Sequence, residues 1–524
     1  MLVRYTASAD NTIVNAYQGG LNTRGTGSNS GLADVIETYS IYGRESVSSS
    51  AGPASQELSR ILIQFPITSI SNDRTAGTIP ASGSVKYYLR LFNAPHSKTV
   101  PKDFKVVIYP VSKEWQEGTG LDLEGYKDLT KGNIGSNWMS ASNSTPWTTP
   151  GGDYSTATAN LIYEQTFESG LEDLEVNITP LVESWIAGDT DNYGMGVFLS
   201  SSYEAYFSSS SGERSGSVLH NPDGATKSYY TKRFFARGTQ YYFKKPVIEA
   251  RWDDAVRDQR ADFYFSSSLA PSSEYFNTLY LYNFVRGKLT NIPGIGTGRI
   301  FVSLYSGSAD NTGPSGSALV VGNVLTLLPN ETAVTGGYVS TGIYSCSVAV
   351  NSSSTSPIYD VWFSGSIDAI PNASSASIQY YTGSITPKVF SASPGEQNKN
   401  YIINLTNLQN TYRQDQVQRF NLHVRPRNWN PTIYTKATSI VETTSIQSAS
   451  YKVVRTLDNI TAVEYGTGSD NHTVLSYDAK GNYFDFDMKL LEAGYEYKFK
   501  FAFYDDRMNS WIEQQQDFKF KVEE

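Results

Sequence analysis

Four histidines, one cysteine, an acidic loop, a glycine-rich loop and two tryptophans are the residues of this chain whose types could do chemistry. His96, His220, His423 and His472 lie far apart, and none pairs with another at metal-ligand spacing. A zinc site needs three or four convergent ligands, so these read as scattered surface or strand histidines. Cys346 stands in Ile343-Tyr344-Ser345-Cys346-Ser347-Val348-Ala349-Val350 and shares strand parity with Tyr344, Val348 and Val350. That is the pattern of a small buried hydrophobe rather than a nucleophile. Gly294-Ile295-Gly296-Thr297-Gly298 imitates a phosphate loop, but the following Arg299-Ile300-Phe301-Val302-Ser303-Leu304 reads as a strand. A phosphate loop must open a helix whose amides converge on the anion, so an inter-strand loop is expected here. Asp189-Thr190-Asp191-Asn192 offers hard oxygen donors suited to Ca²⁺, yet no bidentate Glu follows at the right offset, and a solvated acidic turn is expected. Trp138 and Trp147 sit in a Ser/Asn-rich segment, where exposed indoles could stack on sugar rings. The competing expectation is that both fold inward and anchor a long loop. There is no Gly-x-Ser-x-Gly elbow, and nothing marks out one carboxylate pair among 51 acidic residues for glycoside hydrolysis. No catalytic residue, metal site or cofactor is therefore expected.

The elements that must carry these residues are written in the composition. Of 524 residues, 39% are hydrophobic and only 18% charged, while 13% are aromatic, with 37 Tyr and 24 Phe. Aromatic and β-branched side chains fit pleated, half-buried surfaces, so the expected fold class is all-β. A length of 524 residues exceeds one core, and two to four domains are expected. The net charge of -9 argues against a nucleic-acid surface, which needs concentrated Lys and Arg. No apolar run is long enough to span a bilayer. The start, Met1-Leu2-Val3-Arg4-Tyr5-Thr6, lacks the apolar stretch of a secretory signal. The chain is thus expected to stay in the cell that makes it, to have lost a signal earlier, or to leave by lysis. A lone cysteine excludes an intramolecular disulfide.

Three consecutive antiparallel β-sandwiches are expected: 1–252, jelly-roll-like; 253–390, immunoglobulin-like; and 391–524. In the first, strand signals run over Ser59–Phe65, Val85–Phe92 and Phe104–Tyr109. Thr179–Ile186 reads as a short helix with Thr179 as N-cap, Pro180 first and Gly188 as its stop. Residues 253–262 carry mixed charge without apolar periodicity and read as a linker, or as a helix with Asp253 and Arg257 four apart. The second sandwich is expected to use strands Thr278–Val285, Arg299–Tyr305, Val324–Leu328, Gly342–Val350, Ile358–Phe363 and Ser377–Tyr381. Ser391-Ala392-Ser393-Pro394-Gly395 would mark its end. In the third, Phe484–Leu490, Tyr495–Phe503 and Phe518–Val522 alternate apolar with polar, and Lys519 and Lys521 would guard the terminal strand as an open edge.

Large anchors between tight-turn glycines run from Trp115 to Trp252: Gly118-Thr119-Gly120, Trp138, Trp147, Gly151-Gly152-Asp153-Tyr154, Trp185 and Asn192-Tyr193-Gly194-Met195-Gly196. With Asp10–Val14, the arginine-led strand Ser59–Phe65, Ile178–Trp185 and Pro246–Trp252, this pattern resembles the DNRLRE-type domain. That is a family of carbohydrate-binding-module-like β-sandwiches of secreted and surface proteins. The chain departs from it by insertions around 40–57 and 204–232, and by Ala236-Arg237-Gly238 in place of Ser-x-Glu. The whole chain also resembles virion structural proteins of marine T4-like tailed phages. What the resemblance implies is a non-enzymatic virion component, assembled in the host cytoplasm without a signal peptide and placed at the neck, collar or tail. Its implied partners are other virion proteins and copies of itself in a symmetric ring, with neither nucleic acid nor membrane insertion. The alternative is a carbohydrate-binding adhesin or tail-fibre-associated protein contacting host surface glycans through Trp138 and Trp147.

Overall fold

Period-two alternation becomes strand almost wherever it occurs, and the chain is all-β, built from antiparallel sheets packed as sandwiches. The computed structural model describes residues 1–17, 24–42, 56–95, 100–121, 135–207, 218–307, 314–322, 332–350, 357–365, 378–388, 400–430, 433 and 443–524. The expected strand Val324–Leu328, the boundary run Ser391–Gly395 and His96 lie outside these residues. The chain divides into two compact units, Met1–Asp253 with Gly468–His472, and Asp254–Thr467 with Thr473–Glu524.

The first unit contains β1 (Leu2–Thr6), β2 (Ala9–Val14), β3 (Val35–Tyr42), β4 (Gln56–Gln64), β5 (Lys86–Leu91), β6 (Phe104–Pro110), β7 (Tyr163–Phe167), β8 (Leu174–Asn177), β9 (Met195–Leu199), β10 (Tyr229–Phe235) and β11 (Val247–Arg251). A four-stranded sheet, β1-β11-β5-β8, faces a seven-stranded one, β10-β3-β4-β9-β6-β7, to which β2 adds against β4. Tyr87, Leu89 and Leu91 of the smaller sheet share one buried core with Ile61, Ile63, Val106, Ile108 and Val197 of the larger. Each fully buried Leu or Ile there contributes about 1.5–3 kcal/mol. Strand β4 is buried on both faces, because Leu58 and Leu62 on its other side join a second apolar cluster. Two helices, α1 (Ile67–Thr75) and α2 (Thr179–Ala187), pack on each other and add Ile70, Leu181, Val182 and Trp185 to the main core.

Helix α2 departs from its expected start by one residue. Ile178 occupies the cap, while Thr179 Oγ1 accepts from the Tyr87 amide at 2.8 Å and donates to Asn177 Oδ1 at 2.6 Å. Pro180 and Gly188 act as expected, the latter ending the helix at φ 79°. Helix α1 has no apolar stripe; it follows Pro66 and buries only Ile70.

The second unit begins with the middle strands β12 (Asn277–Tyr282), β13 (Phe284–Val285), β14 (Lys288–Leu289), β15 (Ile300–Gly307), β16 (Pro314–Ala318), β17 (Val321–Gly322), β18 (Val334–Ser340), β19 (Ile343–Val350), β20 (Ile358–Ser364) and β21 (Ile378–Ile385). All but the hairpin β13-β14 belong to one sheet of order β12-β19-β18-β15-β20-β21, with β16 on β15 and β17 on β19. It wraps a core of Leu279, Val302, Leu304, Cys346, Val348 and Trp362. Then come β22 (Tyr401–Leu405), β23 (Thr411–Arg413), β24 (Val417–Pro426), β25 (Ala449–Arg455), β26 (Thr461–Val463), β27 (Ser476–Asp478), β28 (Gly481–Asp487), β29 (Glu496–Asp505), β30 (Ser510–Glu513) and β31 (Phe518–Glu523). These form a sheet β22-β24-β28-β27 and a sheet β23-β31-β29-β25-β26, with β30 on β29. Between them Phe484 stacks on Tyr451 at 4.5 Å, and within the second sheet Phe499 stacks on Phe520 at 4.7 Å.

Two expectations are corrected here and a third is refined. The strand begun at Phe484 ends at Asp487, whose side chain caps a 3₁₀ turn over Met488–Leu490 by accepting from the Lys489 amide. Strand β31 is not an open edge: β29 pairs with one side and β23 runs parallel along the other, Thr411 opposite Lys521. Residues 253–262 form no helix; the division between the two units falls at Asp253 and Asp254, where a linker was expected, and the residues after it are tied down. The Val256 amide donates to Ser476 Oγ and the Asp258 amide to the Tyr477 carbonyl, while the Gln259 amide donates to the Thr278 carbonyl. The segment therefore edges both β27 and β12 within the second unit.

Candidate functional site

Outside β4, residues 111–121 and 135–154 fold back over the large sheet. Trp115, Trp138 and Trp147 pack there with Ile13, Leu58 and Leu62. The Trp115 Nε1–H donates to the Tyr193 carbonyl and that of Trp147 to the Asn137 carbonyl, each at 2.8 Å. Gly151 is required beneath them: its φ is 87°, and a Cβ would lie 2.9 Å from the Trp138 ring. Trp138 is 0% and Trp147 5% exposed. Neither indole offers a face to a sugar: of the two alternatives for Trp138 and Trp147 the structure has the inward-folded one, and the stacking role is corrected. Burying two large rings beside β4 gains more than leaving them in water.

Arg60 projects from β4 into this layer. Its Nε and Nη2 reach Glu204 Oε1 at 3.0 and 2.9 Å, Nη2 also reaches Oε2 at 2.9 Å, and Nη1 donates to the Gly151 carbonyl at 3.2 Å. The guanidinium lies 4.4 Å from the Phe198 ring centre and 5.6 Å from those of Trp138 and Tyr154. Similar charge clusters recur. Glu249 faces Arg4 at 2.8 Å, Arg251 at 2.5 Å and Arg90 at 3.7 Å. Burial opposes its ionisation, but the three guanidiniums hold its carboxyl far below the usual range. Asp10 accepts from the Arg237 amide at 2.6 Å, and burial pushes it up to about 7. Lys232 donates to Asn93 Oδ1 and to the Gly170 and Glu172 carbonyls at 2.7–3.0 Å, and burial pulls it down to about 8. In the second unit Arg260 bridges Asp258 and Asp360, each at 2.6 Å, and Trp362 Nε1–H donates to Asp360 at 2.6 Å. Burial raises Asp258 to about 6.

The expected chemistry-bearing residues stay apart. His220 is exposed, His423 half-buried and His472 buried, 3.4 Å from Asp470. Burial pushes the Cys346 thiol far above its ordinary range, beyond any role as a thiolate at neutral pH. The loop Gly294–Gly298 leads into β15, and Tyr344 fastens it by donating to the Gly296 carbonyl and accepting from the Ile292 amide. In the acidic loop, Thr190 bonds Ser184, and Asn192 donates to the Phe65 carbonyl while accepting from the Gly194 amide. Among the described residues no group of three His, Cys, Asp or Glu side chains could hold a metal ion.

A cleft of about 740 Å³ lies between α1, α2 and the turn at Ala159–Leu161. Arg74 and Glu183 form its charged wall through two bonds of 2.6 Å, and Arg74 also reaches the Tyr87 hydroxyl at 2.8 Å. Ser82, Thr158 and Asn160 add neutral polar groups over a floor of Leu161 and Pro180. The Arg74–Glu183 pair is closed on itself and Asp189 lines the cleft beside it, so the cleft can hydrogen-bond a polar solute. Sequence reading missed Arg74–Glu183, Arg60–Glu204 and Arg260–Asp360. None of the three left a local signal; only Glu249 and Arg251, two apart in the apolar strand Val247-Ile248-Glu249-Ala250-Arg251, were legible as charges turned inward.

No protein-family model matches the chain, and no curated protein matches it. Among solved structures, a marsupial T cell receptor is 8% identical, with 47% of this chain and 68% of that chain covered, at a TM-score of 0.15. Trypsin-activated alpha-2-macroglobulin from Escherichia coli is 9% identical over 81% of this chain and 29% of that chain, at 0.15. Salmonella alpha-2-macroglobulin reacted with methylamine is 8% identical over 99% of this chain and 34% of that chain, at 0.14. At these TM-scores the likeness carries no argument.

Proposed function

We propose that the chain is a non-enzymatic structural component of a tailed-phage particle, at the neck, collar or tail, held by contacts with neighbouring subunits around a symmetric ring. The observation that carries this reading is the contrast between interior and surface. Inside, Arg60, Glu249 and Arg260 are each neutralised by buried protein partners, which fixes the sandwiches rigidly. Outside, most of the exposed large apolar side chains among the described residues lie in the second unit, including Phe284, Val285, Val339, Ile378 and Val417. Rigid sheets with exposed apolar side chains suit subunit contacts. The 37 tyrosines suit them too, since tyrosine buries area at low entropic cost. The resemblance of the whole chain to T4-like virion proteins supports the same reading by analogy alone. Mass spectrometry of purified, intact particles tests it: the chain is expected at stoichiometric abundance, and its absence overturns the proposal.

A further inference from the structure

The middle sheet of the second unit ends in two turns pressed together. One is the hairpin β13-β14, in which Phe284 opposes Leu289 and Val285 opposes Lys288. Its two central residues are left-handed, Arg286 at φ 51° and Gly287 at φ 80°. That is the backbone of the tight two-residue hairpin turn, which matches strand twist. Arginine in the left-handed region is uncommon and carries a steric cost. The other turn joins β18 to β19 at Gly342, where φ is 74°. The Asn283 amide donates to the Gly342 carbonyl at 2.8 Å, the Gly342 amide to Asn291 Oδ1 at 2.7 Å, and Asn283 Nδ2 to the Thr290 carbonyl at 2.6 Å. A Cβ on Gly342 would sit 2.6 Å from the Thr290 nitrogen. The two turns are thus fastened at their base into one rigid end.

This end is apolar and basic at once. Phe284 is 54%, Val285 50%, Val339 47% and Tyr338 37% exposed. Arg286 and Lys288 are exposed beside them, and neither has an acidic partner among the described residues. A monomer gains nothing from holding such side chains in water on a fixed scaffold. The chain as a whole carries -9, so the charge that complements this end is abundant on its own surface. Two such ends meeting face to face would oppose Arg286 and Lys288 with themselves. The contact must therefore join this end to a different face of the neighbour, and head-to-tail contacts of that kind generate rings or filaments.

We propose that the Phe284–Leu289 hairpin, with Val339 and Tyr338, docks on an acidic, partly apolar surface of a second copy of this chain. The proposal rests on the subunit reading above and names the partner of that reading as the chain itself.

Sedimentation velocity and light scattering on the purified full chain, from about 1 to 200 µM, test it. Concentration-dependent self-association that levels off at a closed oligomer is expected, weakened at least tenfold between 50 and 500 mM NaCl. The double variant Phe284→Ser/Val339→Ser should abolish association, and Lys288→Glu should weaken it about tenfold. All three positions are exposed, so circular dichroism and melting should match the wild type. Leu171→Ser, which removes an equally exposed side chain from the first unit, should change nothing. A wild-type chain that stays monomeric throughout, or association untouched by the double variant, overturns the proposal. So does a hairpin-dependent binding to vesicles of phosphatidylserine and phosphatidylcholine without self-association, which would assign this end to a membrane surface. A monomeric chain found in intact particles would refute this inference and leave the subunit reading standing; absence from particles would refute the latter.

Discussion

Replacing Glu204 by Gln should be among the costliest conservative changes in the first unit. The substitution keeps shape and removes one charge, leaving the Arg60 guanidinium beneath Trp138, Tyr154 and Phe198 with only the Gly151 carbonyl and one amide oxygen. Both side chains of the pair are 9% exposed, so solvent cannot take over. Stranding one partner of a buried pair costs roughly 3–5 kcal/mol. For a unit of this size each kcal/mol lowers Tm by about 2–4 °C, so a fall of roughly 6–20 °C is expected. Urea unfolding followed by tryptophan fluorescence is the assay, because Trp138 lies directly on the perturbed group. The double variant Arg60→Met/Glu204→Leu should recover most of the loss, since an apolar pair of similar volume needs no charge compensation. A loss below about 1 kcal/mol for Glu204→Gln, or a double variant worse than the sum of its singles, would refute the claim that the pair is desolvated and mutually dependent.

Three further outcomes follow from the same geometry. Lys232 is held near 8 rather than 10.5, so the folded protein sheds this proton more readily than the unfolded chain. Stability should rise between about pH 8 and 10.5 by up to roughly 3 kcal/mol relative to Lys232→Met, and equal slopes for the two proteins in denaturant titrations would disprove it. Asp258 moves the opposite way: raised from 3.8 to about 6, it binds its proton more tightly when folded, so stability should fall as pH climbs through that interval. Asp258→Asn should flatten that fall, worth about 3 kcal/mol, and an unchanged profile would exclude Asp258 as its source. Gly194 has φ 80°, and a Cβ there would lie 2.2 Å from the Ile63 carbonyl oxygen. Gly194→Ala should therefore cost more than about 2 kcal/mol, whereas Gly77→Ala, with φ 76° and open space around it, should cost about 1; similar melting shifts for both would contradict the steric account.

Much of the strand framework was legible because burial on one face leaves a period-two record. Phe499, Phe501 and Phe503 are buried while Lys498 and Lys500 are not fully so, and that contrast is visible in the residue order alone. Helix α2 was legible through Pro180 and Gly188, whose backbone constraints act locally. Helix α1 was not, since seven of its nine residues give no apolar stripe and its formation depends on packing Ile70 into a core assembled from distant strands. Strand β23 escaped because three residues hold no periodicity, and missing it turned an inner strand into an apparent edge. The charge pairs are invisible for a simpler reason: Arg60 and Glu204 are 144 residues apart, and Arg260 and Asp360 are 100. Mixed charge at 253–262 marked the division between the units but not the burial of Asp258 and Asp262 just beyond it, because sequence shows charges and not their burial. Of the candidate site, residue order could pose the alternatives for Trp138 and Trp147 but not decide between them.

One stretch of backbone serves two masters in the second unit. Residues 256–259 lend an edge to β27 with one hand and to β12 with the other, and Arg260 immediately beyond draws on Asp360 for its counter-charge. Neither sandwich owns this stretch. A chain cut at this seam would leave one sheet with a raw flank and Asp360 without its Arg260 counter-charge, so the two sheets lean on a single stretch for their completion.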